Sequence, residues 1–253
     1  MELVIDSVSH DFGALRVLRE ISFRVAPGEI LALVGPSGCG KSTLLSIAGG
    51  LLRPQAGSVA SVGAAPAGSL NPLTFVFQDF ALLPWRSVAD NVAFALEHVR
   101  LGTAERRAIV ADALRRTGLA DFAASYPKQL SGGMRQRVGI ARALAVRPEI
   151  LLMDEPFSAL DAQTRDLLIE DFMGLLNGNR LSAIYVTHNL EEAARLADRI
   201  VVLSRRPARI REIMSLTVPR DARDALYIAE HQKTLWSLIR GEAVEAEREV
   251  ADV

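Results

Sequence analysis

The chain carries one cysteine in 253 residues, Cys39, which excludes an internal disulfide framework and suits a reducing compartment. It has no apolar run near the roughly 18 residues that a membrane span requires. Its start, Met1-Glu2-Leu3-Val4-Ile5-Asp6, lacks a basic region and so reads against a secretory signal. An excess of positive charge is missing too: the net charge of −1 argues against a broad nucleic-acid footprint, though not against a local basic patch. No internal repeat, low-complexity tract or long heptad array breaks the chain. The expectation is a protein in the cytoplasm, one large domain or a domain with an inserted lobe, free to dock on a membrane protein.

What is present is concentrated at Gly35-Pro36-Ser37-Gly38-Cys39-Gly40-Lys41-Ser42-Thr43, which fits G-x-x-x-x-G-K-[ST] at every fixed position. Ile30 to Val34 before it reads as a buried strand, and Ser42 to Leu52 after it as a helix. Glycines let the backbone turn tightly and aim its N–H groups at an anion, and the positive end of the helix dipole faces the same point. Lys41 is placed to reach β- and γ-phosphates, and the Ser42 hydroxyl to ligate Mg²⁺. A turn that binds nothing is the bland alternative, and the matching flanks speak against it. Cys39 sits at a variable loop position. A small residue that fits outweighs a nucleophile activated at a helix start.

Around this loop the pattern alternates. Leu3 to Ile5 and Val8 to Phe12 suggest a first strand and its continuation, and Ile21 to Val25 alternates as a half-buried strand. An antiparallel β layer ahead of an α/β core is expected. Phe12 could stack on a base or pack in the core. Val59 to Val62 reads as an edge strand, and Leu73 to Phe77 as a strand ending in Gln78, where a polar side chain can meet a metal or an attacking water. Helical periodicity follows: one helix capped by Ser87 through about His98, another capped by Thr103. Leu82-Leu83-Pro84-Trp85 at the lobe's entry is either core packing or a groove for a partner helix.

Leu130-Ser131-Gly132-Gly133-Met134 opens a helix expected from about Met134 to Val146. Ser131 is either an ordinary cap or part of a second anion site. One nucleotide cannot obviously touch both helix starts within a subunit, so a second copy is expected to supply this one. Ile150 to Met153 then delivers Asp154 and Glu155: Asp154 to hold Mg²⁺ through water, Glu155 to act as general base. Ala162 to Leu176 reads as a helix, and Ala183 to His188 as a strand with His188 at its tip, suited to a γ-phosphate. Arg205, Arg206, Arg209 and Arg211 flank Pro207 in a basic hairpin, and a helix is expected from Asp224 to about Glu247.

Together these residues resemble the ATP-binding-cassette family over nearly the whole chain, from Phe12 to His188. Gly35 to Ser42 looks like its Walker A loop, Gln78 its Q-loop, Leu130 to Met134 its signature and Ile150 to Asp154 its Walker B. Glu155 looks like its catalytic glutamate, Ser158-Ala159-Leu160-Asp161 its D-loop and His188 its H-loop, while Phe12 stands where the family places an adenine-stacking aromatic. The resemblance implies an α/β P-loop NTPase (RecA-like) core with an antiparallel β subdomain over 1–85 and 150–210, a helical subdomain over 86–149 and a C-terminal helical extension over 211–253.

It also implies ATP and Mg²⁺ as cofactors and a head-to-tail pair of copies. In that pair Ser131, Gly132 and Gly133 of one face the γ-phosphate held by Lys41 of the other, with Asp161 also at the nucleotide. Phe77 to Trp85 and Leu203 to Ile210 are similar to the nitrate/sulfonate/taurine type of bacterial importer. This implies a peripheral subunit on the cytoplasmic face of the inner membrane, with transmembrane permease partners, a solute-binding protein reached indirectly, and no nucleic acid. The alternative is a soluble ATPase of DNA repair or translation. Such proteins usually add coiled-coil insertions or a second cassette, and neither is found here.

Overall fold

A computed structural model describes residues 1–66, 68–158, 160–179 and 181–251, without the side chains of 177–179 and 242–251. The chain divides into two compact units, Met1–Ala64 with Ser182–Val253, and Ala65–Leu181.

The first unit is built on two sheets. β1 (Glu2–Phe12) is the centre of an antiparallel layer, with β2 (Leu15–Val25) on one side and β4 (Ala56–Val62) on the other, as the alternating pattern predicts. Its inward residues Leu3, Ile5, Val8, Leu18, Ile21 and Val25 are almost fully buried. The expected break between Ile5 and Val8 is a bulge inside one strand, with Ser7 at φ 51°. β4 begins at Ala56, three residues before the expected Val59, because Ala56 already pairs with Ser9.

In the second sheet, β3 (Ile30–Val34) lies between β7 (Ser182–Val186) and β8 (Arg199–Leu203), parallel to both. β9 (Ile210–Ser215) pairs antiparallel with β8, so 204–209 form the hairpin turn. All five residues of β3 and of β7 are buried, which accounts for their continuous apolar character. α1 spans Lys41–Ala48 and stops before the expected Leu52, since Gly49 closes it and Gly50 takes φ 72°. α6 (Leu190–Leu196) follows β7, and α7 (Ala225–Ala251) packs on it through Leu235 and Ile239, both buried.

One side chain secures the approach to α7. The Arg223 guanidinium donates to the carbonyls of Ala194 (2.9 Å), Ala197 (2.7 Å) and Val218 (2.9 Å), satisfying the open end of α6. Burial lowers its pKa below the ordinary arginine value, so these carbonyl bonds replace lost water. Arg223→Ala is expected to cost about 1–3 kcal/mol, since charge-assisted bonds are lost and carbonyls left unpaired. In thermal unfolding that corresponds to roughly 2–4 °C per kcal/mol for a chain of this size. An unchanged melting temperature would contradict the clamp.

In the second unit β5 (Leu73–Val76) and β6 (Ile150–Asp154) pair in parallel, Val76 opposite Met153. The rest is helical. α2 (Val88–Phe94), α3 (Thr103–Arg116) and α4 (Gly132–Ala145) close over Val88, Val92, Leu96, Ile109, Leu114 and Val138. α5 (Ala162–Asn179) completes the unit. Ser87 caps α2 as predicted, by accepting from the Asp90 N–H at 3.1 Å, but the helix ends at Phe94, well short of His98. Thr103 is the first helical residue of α3 and Gly102 takes the cap position, without a side-chain bond. α4 starts at Gly132, two residues earlier than expected. No helix among the described residues is long and apolar enough to cross a membrane.

Candidate functional site

Gly35–Thr43 leaves the end of β3 and enters α1. Gly38 and Gly40 take φ 71° and 114°, values that favour glycine. A Cβ on Gly40 would lie 2.7 Å from Val17 Cγ1 and 3.1 Å from Leu18 Cδ2, so the loop also needs glycine for its close approach to β2. The hairpin that carries Phe12 therefore abuts the loop. Phe12 is 52% exposed, which removes core packing as its reason, and its ring meets that of His10 edge-on with centroids 4.7 Å apart.

Pro36 and Cys39 are buried, while Ser37 and Gly38 are exposed. Burial pushes the Cys39 thiol up, against the thiolate that a nucleophile needs, with Lys41 acting weakly the other way. No side chain caps the first turn of α1 among the described residues, so its N–H groups are not claimed by a cap. The Lys41 ammonium is 6% exposed and donates to the Gly35 and Pro36 carbonyls, both at 2.9 Å. A buried cation folded over an uncapped helix start is an anion cradle. Ser42 and Thr43 follow in the first turn, the Ser42 side chain exposed.

β7 pairs with β3 in register Leu33–Val186, and the Thr187 N–H donates to the Leu33 carbonyl at 3.3 Å. His188, exposed, thus leaves the sheet at the same edge as the glycine loop. It lies two residues beyond the strand, not on its tip as expected.

The second unit gathers the other polar residues at one strand edge. Gln78 lies beyond β5, which ends at Val76, and Asp154 closes β6. Gln78 Nε2 donates to Ser158 Oγ at 3.3 Å, and Ser158 Oγ donates to the Glu155 carbonyl at 2.9 Å. Glu155 takes φ 46°, a strained value for a non-glycine residue, at the point where the chain leaves β6. Asp161 is exposed and caps α5 through Thr164 N–H at 3.0 Å. Bonds from the Thr164 backbone and hydroxyl hold its carboxyl below the usual carboxylate range. Ala159 lies outside the described residues.

Ser131 serves as the N-cap of α4, accepting from the Met134 N–H at 3.3 Å, so the capping reading holds. Gly133 is buried: a Cβ there would lie 2.9 Å from Thr164 Cγ2 on α5. Gly132 is partly exposed beside Ser131.

Two supporting residues escaped the sequence. Arg142 of α4 donates to the Ala81 carbonyl at 2.7 Å and to the Phe80 carbonyl, where Phe80 and Ala81 have φ 57° and 41°. Asn91, fully buried, accepts from the Leu83 N–H at 2.8 Å and donates to the Ser87 carbonyl at 2.9 Å. Both fix the stretch after Gln78 through side chain–backbone bonds, which leave no periodic trace. Phe80 is buried against Gly139, while Trp85 is 71% exposed, so core packing accounts for only part of that stretch.

For a metal, the described residues contain no group of three or more His, Cys, Asp or Glu that could cage an ion. Mg²⁺ needs no such cage, since it keeps waters and takes substrate phosphate oxygens as ligands.

Residues 18–158 match the family model for the ABC transporter. The chain is 47% identical over 210 residues to an aliphatic sulfonates import ATP-binding protein of Xanthomonas axonopodis pv. citri, covering 83% of each chain. It is 43% identical to a bicarbonate transport ATP-binding protein of Synechocystis sp., covering 87% of this chain and 81% of that one. Among solved structures it is similar to a dimeric ATP-binding cassette in a post-hydrolysis state bound to ADP and Pi. The TM-score is 0.72 at 30% identity, covering 86% of this chain and all of that one. The phosphate-loop fold, the glycine cradle and the matched segment agree: the chain belongs to the ABC transporter family, and it is an ATPase.

Proposed function

We propose that the chain is the ATP-hydrolysing subunit of a membrane importer for a small anionic solute, of the sulfonate, taurine, nitrate or bicarbonate class. The observation that carries the nucleotide reading is the buried Lys41 ammonium folded over an uncapped helix start. The importer class is supported by the named activities of the relatives and by Phe77 to Trp85 and Leu203 to Ile210.

In this reading Gly35 to Thr43 bind the phosphates through backbone N–H groups, and Phe12 stacks on the base. Lys41 exchanges its two loop carbonyls for β- and γ-phosphate oxygens. Ser42, Gln78 and Asp154 hold Mg²⁺, which when bound neutralises phosphate charge. Glu155 takes the proton of the attacking water, while Gln78 and His188 orient the water and the γ-phosphate. Ser131, Gly132, Gly133 and Asp161 act on the nucleotide of a second copy, packed head to tail. The single use of Ser131 as a cap leaves its other lone pair and the partly exposed Gly132 N–H for that task.

The stretch from Gln78 to Trp85 is the contact for permease subunits, so the chain sits peripherally on the cytoplasmic face of the inner membrane, with a solute-binding protein reached through them. The subdomain division drawn from the sequence, with the helical part over 86–149, belongs to the same proposal. The test is reconstitution with the permease in vesicles. ATP-driven uptake of sulfonate, nitrate or bicarbonate is expected, and ATP turnover with none of these solutes moved would overturn the importer class.

A further inference from the structure

The loop bearing His188 is held by a carboxylate that no motif accounts for. Glu192, in the first turn of α6, is 6% exposed. Its Oε2 accepts from the Thr187 hydroxyl at 3.0 Å and from the Tyr185 hydroxyl, and its Oε1 accepts from Asn189 Nδ2 at 3.2 Å. Tyr185 is itself fully buried in β7. The lattice closes on the backbone. Asn189 N–H donates to Thr187 Oγ1 at 2.9 Å, and Asn189 Oδ1 accepts from the N–H groups of Glu191 (3.0 Å) and Glu192 (3.3 Å).

Both neighbours of His188 are therefore tied to one buried carboxylate, while His188 stays exposed between them. The Thr187 N–H bond to Leu33 extends the same lattice to the strand that leads into Gly35. Capping α6 does not require this. The Asn189 side chain already serves as the cap, and a glutamate at this position of a cap ordinarily reaches back to the cap's own N–H from the surface. Here that N–H goes to Thr187, and the carboxylate is turned inward. Burying a carboxylate is costly unless it is hydrogen-bonded, and three donors converge on this one. Such an arrangement rigidifies whatever it surrounds, and here it surrounds the backbone on either side of His188.

We propose that Glu192 is a positioning residue for ATP hydrolysis, acting through His188 by locking the 187–189 backbone. The proposal rests on the reading of His188 given above. Glu192 acts on the backbone beside His188 and not on the phosphate loop, so its loss is expected to lower turnover without weakening ATP binding. Glu192→Leu removes the acceptor contacts to Tyr185, Thr187 and Asn189, and a displaced catalytic group commonly costs on the order of 10²-fold. Glu192→Gln keeps an oxygen for Tyr185 and Thr187 and restores a large share of the loss.

The test is ATP turnover by the full chain in four variants: Glu192→Leu, Glu192→Gln, His188→Ala, and the double variant His188→Ala with Glu192→Leu. Melting temperatures serve as the folding control. The expected result is a roughly 10- to 100-fold lower kcat for Glu192→Leu with KM for ATP within about twofold, and partial rescue by Gln. The double variant should turn over within about twofold of His188→Ala alone, because two residues acting as a unit do not add. Independent losses that multiply in the double variant, with His188→Ala impaired, overturn the Glu192 proposal and leave His188 standing. Normal turnover in His188→Ala overturns the reading of His188 itself. If the Leu variant fails to fold, Glu192→Gln carries the same comparison: a Gln loss that multiplies with His188→Ala overturns the proposal. Faster amide exchange at 188–192 in the folded Gln variant supports it, and unchanged exchange counts against it.

Discussion

Glu155→Gln should bind ATP as tightly as the native chain and lose turnover by about 10²–10⁴-fold, the range that a positioned general base supplies. The substitution is isosteric. It keeps the backbone turn at φ 46° and the Ser158 bond to the Glu155 carbonyl, and removes only the oxygen that takes a proton. The loss therefore falls on kcat. Glu155 follows Asp154 by one residue at the end of a buried strand, and the positive φ marks a held turn at this position. Single-turnover assays with radiolabelled ATP measure it. Turnover near the native rate would remove Glu155 from the mechanism.

Lys41→Ala is expected to fail earlier, at binding. The ammonium is buried, and its two bonds to the Gly35 and Pro36 carbonyls stand in for the phosphate oxygens it would meet. Removing it takes the ammonium from both carbonyls, of which Pro36 keeps the Cys39 N–H at 3.3 Å, and leaves the cradle without its fixed charge. Nucleotide affinity should fall at least about tenfold, and turnover by about 10²–10³-fold or more, the scale seen when one transition-state donor is deleted. Lys41→Arg should not restore it, because a planar fork does not fit where a compact ammonium sits between two carbonyls of one loop. Equilibrium binding of a fluorescent ATP analogue separates this variant from Glu155→Gln. Equal affinities in the two would contradict the assignment.

The candidate site residues were legible because glycine, lysine, serine and strand-end acids stand at spacings that phosphate chemistry imposes. Lys41 at the start of α1 and Gln78 and Asp154 at one strand edge follow from that pattern, whereas the bonds from Gln78 through Ser158 to Glu155 do not. Strand β3 was legible from its buried run and matches its expected bounds, Ile30 to Val34. Helix ends were less so. α1 stops at Ala48 because two glycines follow, and α2 ends at Phe94, where the apolar periodicity runs on to Val99. The choice between stacking and core packing for Phe12 depended on exposure, which no spacing encodes.

The supporting layer was not legible at all. Arg142, Asn91 and Glu192 act through bonds to backbone or to residues on other elements. Positive φ at Phe80, Ala81 and Glu155 falls on residues that do not advertise it.

In the proposed mechanism hydrolysis needs two copies, the glycine cradle of each closed by the Ser131 turn of the other. It is tested most directly by the solution mass of the Glu155→Gln variant, by light scattering, with and without ATP and Mg²⁺. The native chain mass is 27.4 kDa. The account predicts about this mass without nucleotide and about twice it with ATP, with doubling abolished by a further Ser131→Arg substitution. A mass that stays at one chain in saturating ATP, or doubling that Ser131→Arg leaves intact, would contradict it.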